Sequence, residues 1–211
     1  MPNRFDKHPT HGYNVTRGEI SMHSHLTLSR PRSLWQWLKI YRLYRTAFPR
    51  SERKPFSMIM KMTRLGKTDT WYCTDNGQFV GIAITINGEE AILLDYFAMA
   101  KDVRGSGYGS ALLQTLIAQY APKTLFGEIE TVFDDVEDLE LRKRRKAFYL
   151  RNGLKEMGVM VYLFGVKMEL LTSDRSMTFE EYRDFYKCNY NEWAANHISP
   201  AEHPYDNGEQ I

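Results

Sequence analysis

Apolar residues recur along this chain with two periods, and the switches between them outline its elements. Met22 opens a short alternating stretch, HSHLTLSR, that predicts a first strand. Ser33, after Pro31, has the character of a helix N-cap. Leu34, Trp37, Leu38, Tyr41, Tyr44 and Phe48 then recur at three- and four-residue spacing, which predicts an amphipathic helix stopped by Pro49. A second short helix is predicted near Phe56 to Met62. TWYCT, QFVGIAITI and EAILLDYFAM read as three strands of an antiparallel meander. DNG makes the first turn, and Asn87-Gly88, a pair suited to a type I′ turn, makes the second. After the loop KDVRGSGYGS, a helix ALLQTLIAQY presents Leu112, Leu113, Leu116, Ile117 and Tyr120 as its apolar stripe, and Pro122 ends it. TLFGEIET is the next strand. Strand, helix, strand predicts a parallel βαβ unit on the end of the meander.

A further helix is expected from about Asp135 to Asn152, acidic in its first half and basic in its second, as the helix dipole favours. Asp138 with Arg142, and Glu140 with Arg144, stand four apart in the favourable order. Asn152-Gly153 fits a C-terminal cap. VYLFGVKMELL supplies one or two closing strands. Thr178-Phe-Glu-Glu181 is a capping box for a last helix carrying Tyr182, Phe185, Tyr186 and Trp193. The expected organisation is a polar extension over 1–21, one domain over 22–194 and a polar, frayed tail over 195–211. The fold class is α/β, a mixed sheet of meander and βαβ unit with flanking helices.

Composition narrows the chemistry. The chain has 211 residues, 43% hydrophobic and 26% charged, enough to bury a core without metal or disulfide staples. A net charge of +2 makes no whole-protein case for a nucleic-acid partner. The basic run Arg142 to Lys146 is answered by seven acids between Glu128 and Glu140, so it reads as a solvated helix face, with a role for one Arg near a phosphate left open. The longest apolar run, about Met157 to Val166, is too short to cross a membrane, and the N-terminus lacks the apolar stretch of a signal peptide. Two cysteines, Cys73 and Cys188, 115 positions apart, build no zinc set and suit a reducing cytoplasm, the expected location. All six histidines lie near the ends, with none between residues 26 and 196. That disfavours a histidine-based triad or a core metal. His8 with His11, or His23 with His25, lack supporting ligands and read as surface residues.

The segment Asp95 to Ser110, DYFAMAKDVRGSGYGS, is the most informative. A strand ends, a glycine-rich loop follows, and a helix begins. Gly105, Gly107 and Gly109 let backbone N–H groups turn inward, and a helix N-terminus makes an anion site of them. Arg104 adds positive charge. A P-loop needs Lys and then Ser or Thr after its last glycine, and Gly109 is followed by Ser110-Ala111. A dinucleotide fingerprint fits Gly105-x-Gly107 but meets Ser110 at its third glycine, and KDVR separates the loop from its strand. A glycine-rich connection with no ligand is the remaining structural reading.

Arg104-Gly-Ser-Gly107-Tyr-Gly109 resembles the (Arg/Gln)-x-x-Gly-x-(Gly/Ala) signature of the GNAT superfamily, the acetyl-CoA-dependent N-acetyltransferases. Phe97-Ala98-Met99 stands where that family ends the preceding strand. Ala147-Phe148-Tyr149-Leu150-Arg151-Asn152-Gly153-Leu154 stands about forty residues later, where it has a helix with Phe-Tyr and then Asn-Gly. The early helix ending in Phe48-Pro49, with Ser51-Glu52-Arg53 after it, is similar too. The resemblance covers roughly 22–171, and Lys101 departs from a frequent proline.

The resemblance implies acetyl transfer from acetyl-CoA to an amine by direct attack, without an acyl-enzyme. It implies that backbone groups of Phe97, Ala98 and Met99 hold the pantetheine arm and thioester. The N–H groups of Arg104, Gly105, Ser106, Gly107, Tyr108, Gly109 and Ser110 would cradle the pyrophosphate. Asn152 joins the coenzyme-binding set. Tyr149 would protonate the leaving thiolate. With no core histidine, the base falls to a carboxylate or water. Asp95 lies on the strand before the loop, and Glu128 and Glu130 share one face of the next strand. Neither cysteine has a nearby histidine to activate it. Metal is not expected, and the partners are acetyl-CoA and an amine, with a homodimer left open. Alternatives are a non-catalytic coenzyme-A-binding regulatory module and a nicotinamide-dinucleotide enzyme.

Overall fold

The computed structural model describes residues 25–133 and 136–202. Eight strands form one sheet in the order β1-β2-β3-β4-β5-β7-β6-β8. β1 (Leu26–Ser29), β2 (Thr68–Asp75), β3 (Gln78–Asn87) and β4 (Ala91–Met99) run antiparallel. β5 (Thr124–Glu130) is parallel to β4 and returns to it through α3 (Tyr108–Tyr120). β6 (Lys155–Leu163) and β7 (Val166–Thr172) close the sheet as a hairpin, with β7 inserted between β5 and β6. The meander and the βαβ unit are as the periodicity predicts, and the one or two closing strands expected are two. Among the described residues no helix is long and apolar enough to cross a membrane. Cys73 is buried and Cys188 is exposed. The extension over 1–21, Met22 and His8, His11 and His23 lie outside the described residues.

Period-2 alternation sends successive strand residues to opposite faces. Ala83, Ile92, Leu94 and Leu125 pack under Leu112, Leu113 and Leu116 of α3. Ile82, Ile84 and Tyr96 face the other way, under α1 (Leu34–Ala47) and α2 (Phe56–Arg64). Ile86, Leu93 and Phe126 continue that second face under α5 (Phe179–Asn189). The α5 helix starts at the Thr178–Glu181 capping box, with both reciprocal bonds made.

Several local expectations are corrected. The buried stripe of α1 is Ile40, Leu43 and Tyr44, and Leu34 is 85% exposed. Leu34 occupies the first helical position. The left-handed pair belongs to Asn76 (φ 47°) and Gly77 (φ 78°), so the DNG turn, and not Asn87-Gly88, has the type I′ character. At Gly88 the constraint is space: an added Cβ would lie 2.5 Å from the Phe185 ring. α4 spans Leu139–Arg151, with Asp138 at the N-cap position but making no side-chain cap bond, and Asp135 lies outside the described residues. Asp138 pairs with Arg142 as expected, whereas Glu140 pairs with Lys143, one residue earlier than Arg144. Trp193 belongs to a separate short helix, α6 (Glu192–Ala195), because the chain turns at Tyr190 and Asn191 re-caps it. The expected tail holds β8 (Ile198–Ala201), which pairs with the edge of β6. Backbone pairing orders this segment, and its one large apolar residue, Ile198, is buried in the core beside Ala194 and Ala195.

Candidate active site

The β4–β5 pair is joined for only three residues, Ala91–Leu93 against Thr124–Phe126. Beyond them the strands part. β4 diverges because it carries an extra residue. Ile84 faces Tyr96 and Thr85 faces Leu94, which leaves Asp95 as a bulge, and bulges bend and twist the strand that holds them. Past the bulge, the Ala100 N–H donates to the Val80 carbonyl at 2.9 Å. Antiparallel alternation then turns Ala98 toward β3, and turns the N–H and C=O groups of Phe97 and Met99 toward the gap. Two of the three expected strand positions therefore present backbone groups to the gap, and Ala98 does not.

The glycine loop closes one mouth of the gap. Gly105 (φ 82°) and Gly107 (φ 86°) both adopt the left-handed conformation that side chains disfavour. Gly107 is also the N-cap of α3, so no side chain caps the helix, and the first turn carries no acid. The first intrahelical bond of α3 runs from the Ala111 N–H to the Gly107 carbonyl. The preceding N–H groups, of Tyr108, Gly109 and Ser110, project from the helix start as an anion site. The Arg104 Nε donates to the Met99 carbonyl at 3.3 Å and ties the loop to the strand end. The Tyr108 hydroxyl donates to Asp75 at 2.6 Å, and the Ser106 hydroxyl to the Val103 carbonyl at 2.5 Å. Gly109 faces Phe148 of α4, and a Cβ there would meet that ring at 3.4 Å, an ordinary packing contact.

Phe97, Phe148 and Tyr149 form an aromatic cluster on this side, with ring centroids 6.1 Å and 5.3 Å apart. The half-buried Tyr149 hydroxyl makes no hydrogen bond to any described residue. Burial raises its pKa, and Arg145 opposes the rise. Asn152 is buried at the end of α4, where its side-chain amide donates to the Phe148 carbonyl at 2.7 Å. That bond and the left-handed Gly153 finish the helix.

The three carboxylates of the sequence reading have different surroundings. Glu130 pairs with Arg142 at 3.1 Å and Arg145 at 3.2 Å. Asp95 pairs through both oxygens with Lys54 Nζ, each at 2.7 Å. Among the described residues Glu128 has no cation in contact. Its Oε1 accepts from the Tyr182 and Tyr186 hydroxyls at 2.7 and 2.8 Å. Burial pushes the Glu128 carboxyl up to about 7, the two phenols oppose this, and Asp95 adds to it. Glu128 shares the sheet face of Phe126, so it opens on the α5 side of the gap.

Lys54, Tyr182, Tyr186 and Tyr190 were not anticipated as site residues. The signal for the tyrosines was their spacing of four along α5, which puts three phenols on one face. Lys54 carried none, because it meets Asp95 only through the fold. In the basic run, Arg142 and Lys146 are largely buried and both are paired with acids, so the expectation of a solvated face holds only in part. Arg144 is exposed, with no ion-pair partner among the described residues.

A mixed sheet split at its parallel pair over a glycine-rich helix start defines a class, and solved structures share it. A protein assigned to the GNAT family of acetyltransferases from Bacteroides thetaiotaomicron superposes with a TM-score of 0.62 at 16% identity, over 81% of this chain and 98% of that one. An aminoglycoside 6'-N-acetyltransferase complexed with coenzyme A gives 0.57 at 16% identity, over 70% and 94%. An acetyltransferase from Bacillus subtilis in complex with CoA gives 0.51 at 12%, over 72% and 98%. These likenesses establish the fold. No curated protein matches the chain in sequence. Residues 66–156 match the family model of the acetyltransferase (GNAT) domain. Over that segment, which holds the glycine loop and both strands that flank the split, the chain is similar to GNAT acetyltransferase domains.

Proposed function

We propose that this protein moves an acetyl group from acetyl-CoA to a primary amine by direct attack within a ternary complex. The observation that carries the reading is the split between β4 and β5, with backbone donors at one mouth and the uncharged-partner carboxylate Glu128 at the other. The residues fit the coenzyme. The loop combines two left-handed glycines with an uncapped start of a thirteen-residue helix, a donor set suited to a diphosphate. In the relatives named above, coenzyme A is bound by proteins of the same fold. The N–H groups of Phe97 and Met99 would hold the pantetheine arm and polarise the thioester carbonyl, an interaction that can lower a barrier by ~3 kcal/mol.

The amine nitrogen forms the new N–C bond as the C–S bond breaks. Glu128 takes the proton that the amine loses. Of the three candidate carboxylates it is the one without a bound cation, and its pKa of about 7 matches a base working near neutral pH. Tyr149 returns a proton to the departing thiolate from the loop side. Asp95 and Glu130 are held in ion pairs and act as structural acids.

Purified protein, titrated calorimetrically with acetyl-CoA and in parallel with NAD, and then assayed for thiol release across a panel of primary amines, tests the proposal. Micromolar acetyl-CoA binding that is lost in Arg104→Glu, with amine-dependent thiol release, is expected. Acetyl-CoA binding without turnover on any amine would make the protein a coenzyme-binding module, and preference for NAD would overturn the assignment.

A further inference from the structure

The α5 mouth already holds one amine, that of the chain itself. Lys54 Nζ lies 2.7 Å from each Asp95 oxygen and donates to the Tyr190 hydroxyl at 2.6 Å. It stands 4.5 Å from the Tyr190 ring centroid and 5.6 Å from that of Tyr96. A carboxylate flanked by aromatic rings is the chemistry that binds alkylammonium ions. Asp95 is the bulge residue where β4 leaves β5, so this cage sits at the opening of the gap. The charges of Asp95 and Lys54 both act on the Glu128 carboxyl, which puts cage and base in one electrostatic neighbourhood. The stack of Tyr190 on Tyr186, 4.8 Å apart, links them physically.

The lysine backbone is fixed independently of its ammonium. The Lys54 N–H donates to the Tyr96 hydroxyl at 3.1 Å, and its carbonyl accepts from the Tyr44 hydroxyl at 3.0 Å. Beside the ammonium runs an apolar crevice along Met58, Met62, Ile84 and Ile86, in which about 10 Å³ remains. That is close to the space of one water-sized sphere, so with Lys54 in place no alkyl chain enters. The Asp95 side chain is 10% exposed and that of Lys54 29%. Desolvating both charges offsets most of their attraction, so the pair is a weak source of stability and an effective determinant of what else can enter.

We propose that Asp95, Tyr96 and Tyr190 form an ammonium subsite of the acceptor mouth, that Lys54 fills it in this chain, and that the filled subsite restricts acceptors to amines with no second cationic group there. The kinetic consequence rests on the acetyl-transfer reading, while the subsite itself is a statement about binding. Full-length Lys54→Ala is titrated calorimetrically with n-butylammonium, without acetyl-CoA. Binding about ten-fold tighter than to the wild type is expected, lost again in Lys54→Ala/Asp95→Asn. In turnover, the kcat/KM ratio of 1,3-diaminopropane to n-butylamine rises by a similar factor, roughly ten-fold, as the second ammonium gains Asp95. Lys54→Met, which keeps the apolar stem, takes the place of the alanine variant if that one does not fold. A folded variant that binds n-butylammonium no more tightly than the wild type overturns the subsite. Absence of wild-type turnover on every amine would instead overturn the acetyl-transfer reading and leave the binding result standing.

Discussion

The two mouths of the split sheet are built from different material. The loop side is backbone: N–H groups at the start of α3, two left-handed glycines, and the inward-turned amides of Phe97 and Met99. The α5 side is side chain: Glu128, Tyr182 and Tyr186 of α5 with Tyr190 at its C-cap, and the Lys54–Asp95 pair. A backbone site depends on conformation, so it constrains sequence through glycine spacing within one short stretch. A side-chain site depends on which distant segments meet, and any fold-compatible set of residues can build it. A common coenzyme and a variable acceptor would make this division of labour useful.

The sharpest way to break the comparison is at Glu128. Glu128→Gln keeps the shape and hydrogen-bond reach but removes the proposed base, and kcat/KM for amine is expected to fall about 100-fold or more with KM for acetyl-CoA unchanged. The wild-type rate should rise with pH and level off above about 7, and the variant should lose that limb. The stability sign runs the other way. A carboxyl raised from 4.5 to about 7 favours the folded state fully below 4.5, and this contribution is lost as pH rises through about 7. Wild-type Tm should therefore drop relative to Glu128→Gln between those values, as melting curves would record. On the loop side, Tyr149→Phe should lower kcat by roughly 10- to 100-fold while acetyl-CoA still binds, a contrast that single-turnover kinetics reads.

Gly107→Val sharpens the contrast from the backbone side. A β-branched residue at φ 86° costs about 1–2 kcal/mol of loop geometry, so acetyl-CoA affinity should weaken about ten-fold while amine KM holds. The smallest effect is expected at Thr178→Ala. Loss of the α5 cap costs about 1 kcal/mol and should lower Tm by roughly 2–4 °C, with any kinetic change confined to the amine.

The same division explains what was legible in the sequence. The meander, the parallel unit and the glycine loop follow from local periods and φ requirements, and residues 97–110 could be read as one site, whereas the insertion of β7 between β5 and β6 could not. The bulge at Asp95 could not, because DYF carries no mark of an extra residue until β3 sets the register. Glu128, Glu130 and Asp95 were equal candidates along the chain. What separates them is three long-range meetings, with Tyr182 and Tyr186, with Arg142 and Arg145, and with Lys54. β8 was missed because four residues are too few for alternation to show, and only the fold brings them to the β6 edge and buries Ile198.

The central claim, that Glu128 is kept partly protonated in an aromatic mouth opposite the glycine loop, has a direct test that requires no acceptor. The side-chain carboxyl carbon of Glu128, assigned by its absence in Glu128→Gln, can be followed by 13C NMR as pH is varied. A midpoint at about 7 is predicted. A midpoint at the ordinary value of 4.5 would mean that burial does not tune this carboxylate, and Glu128 would lose its claim to be the base.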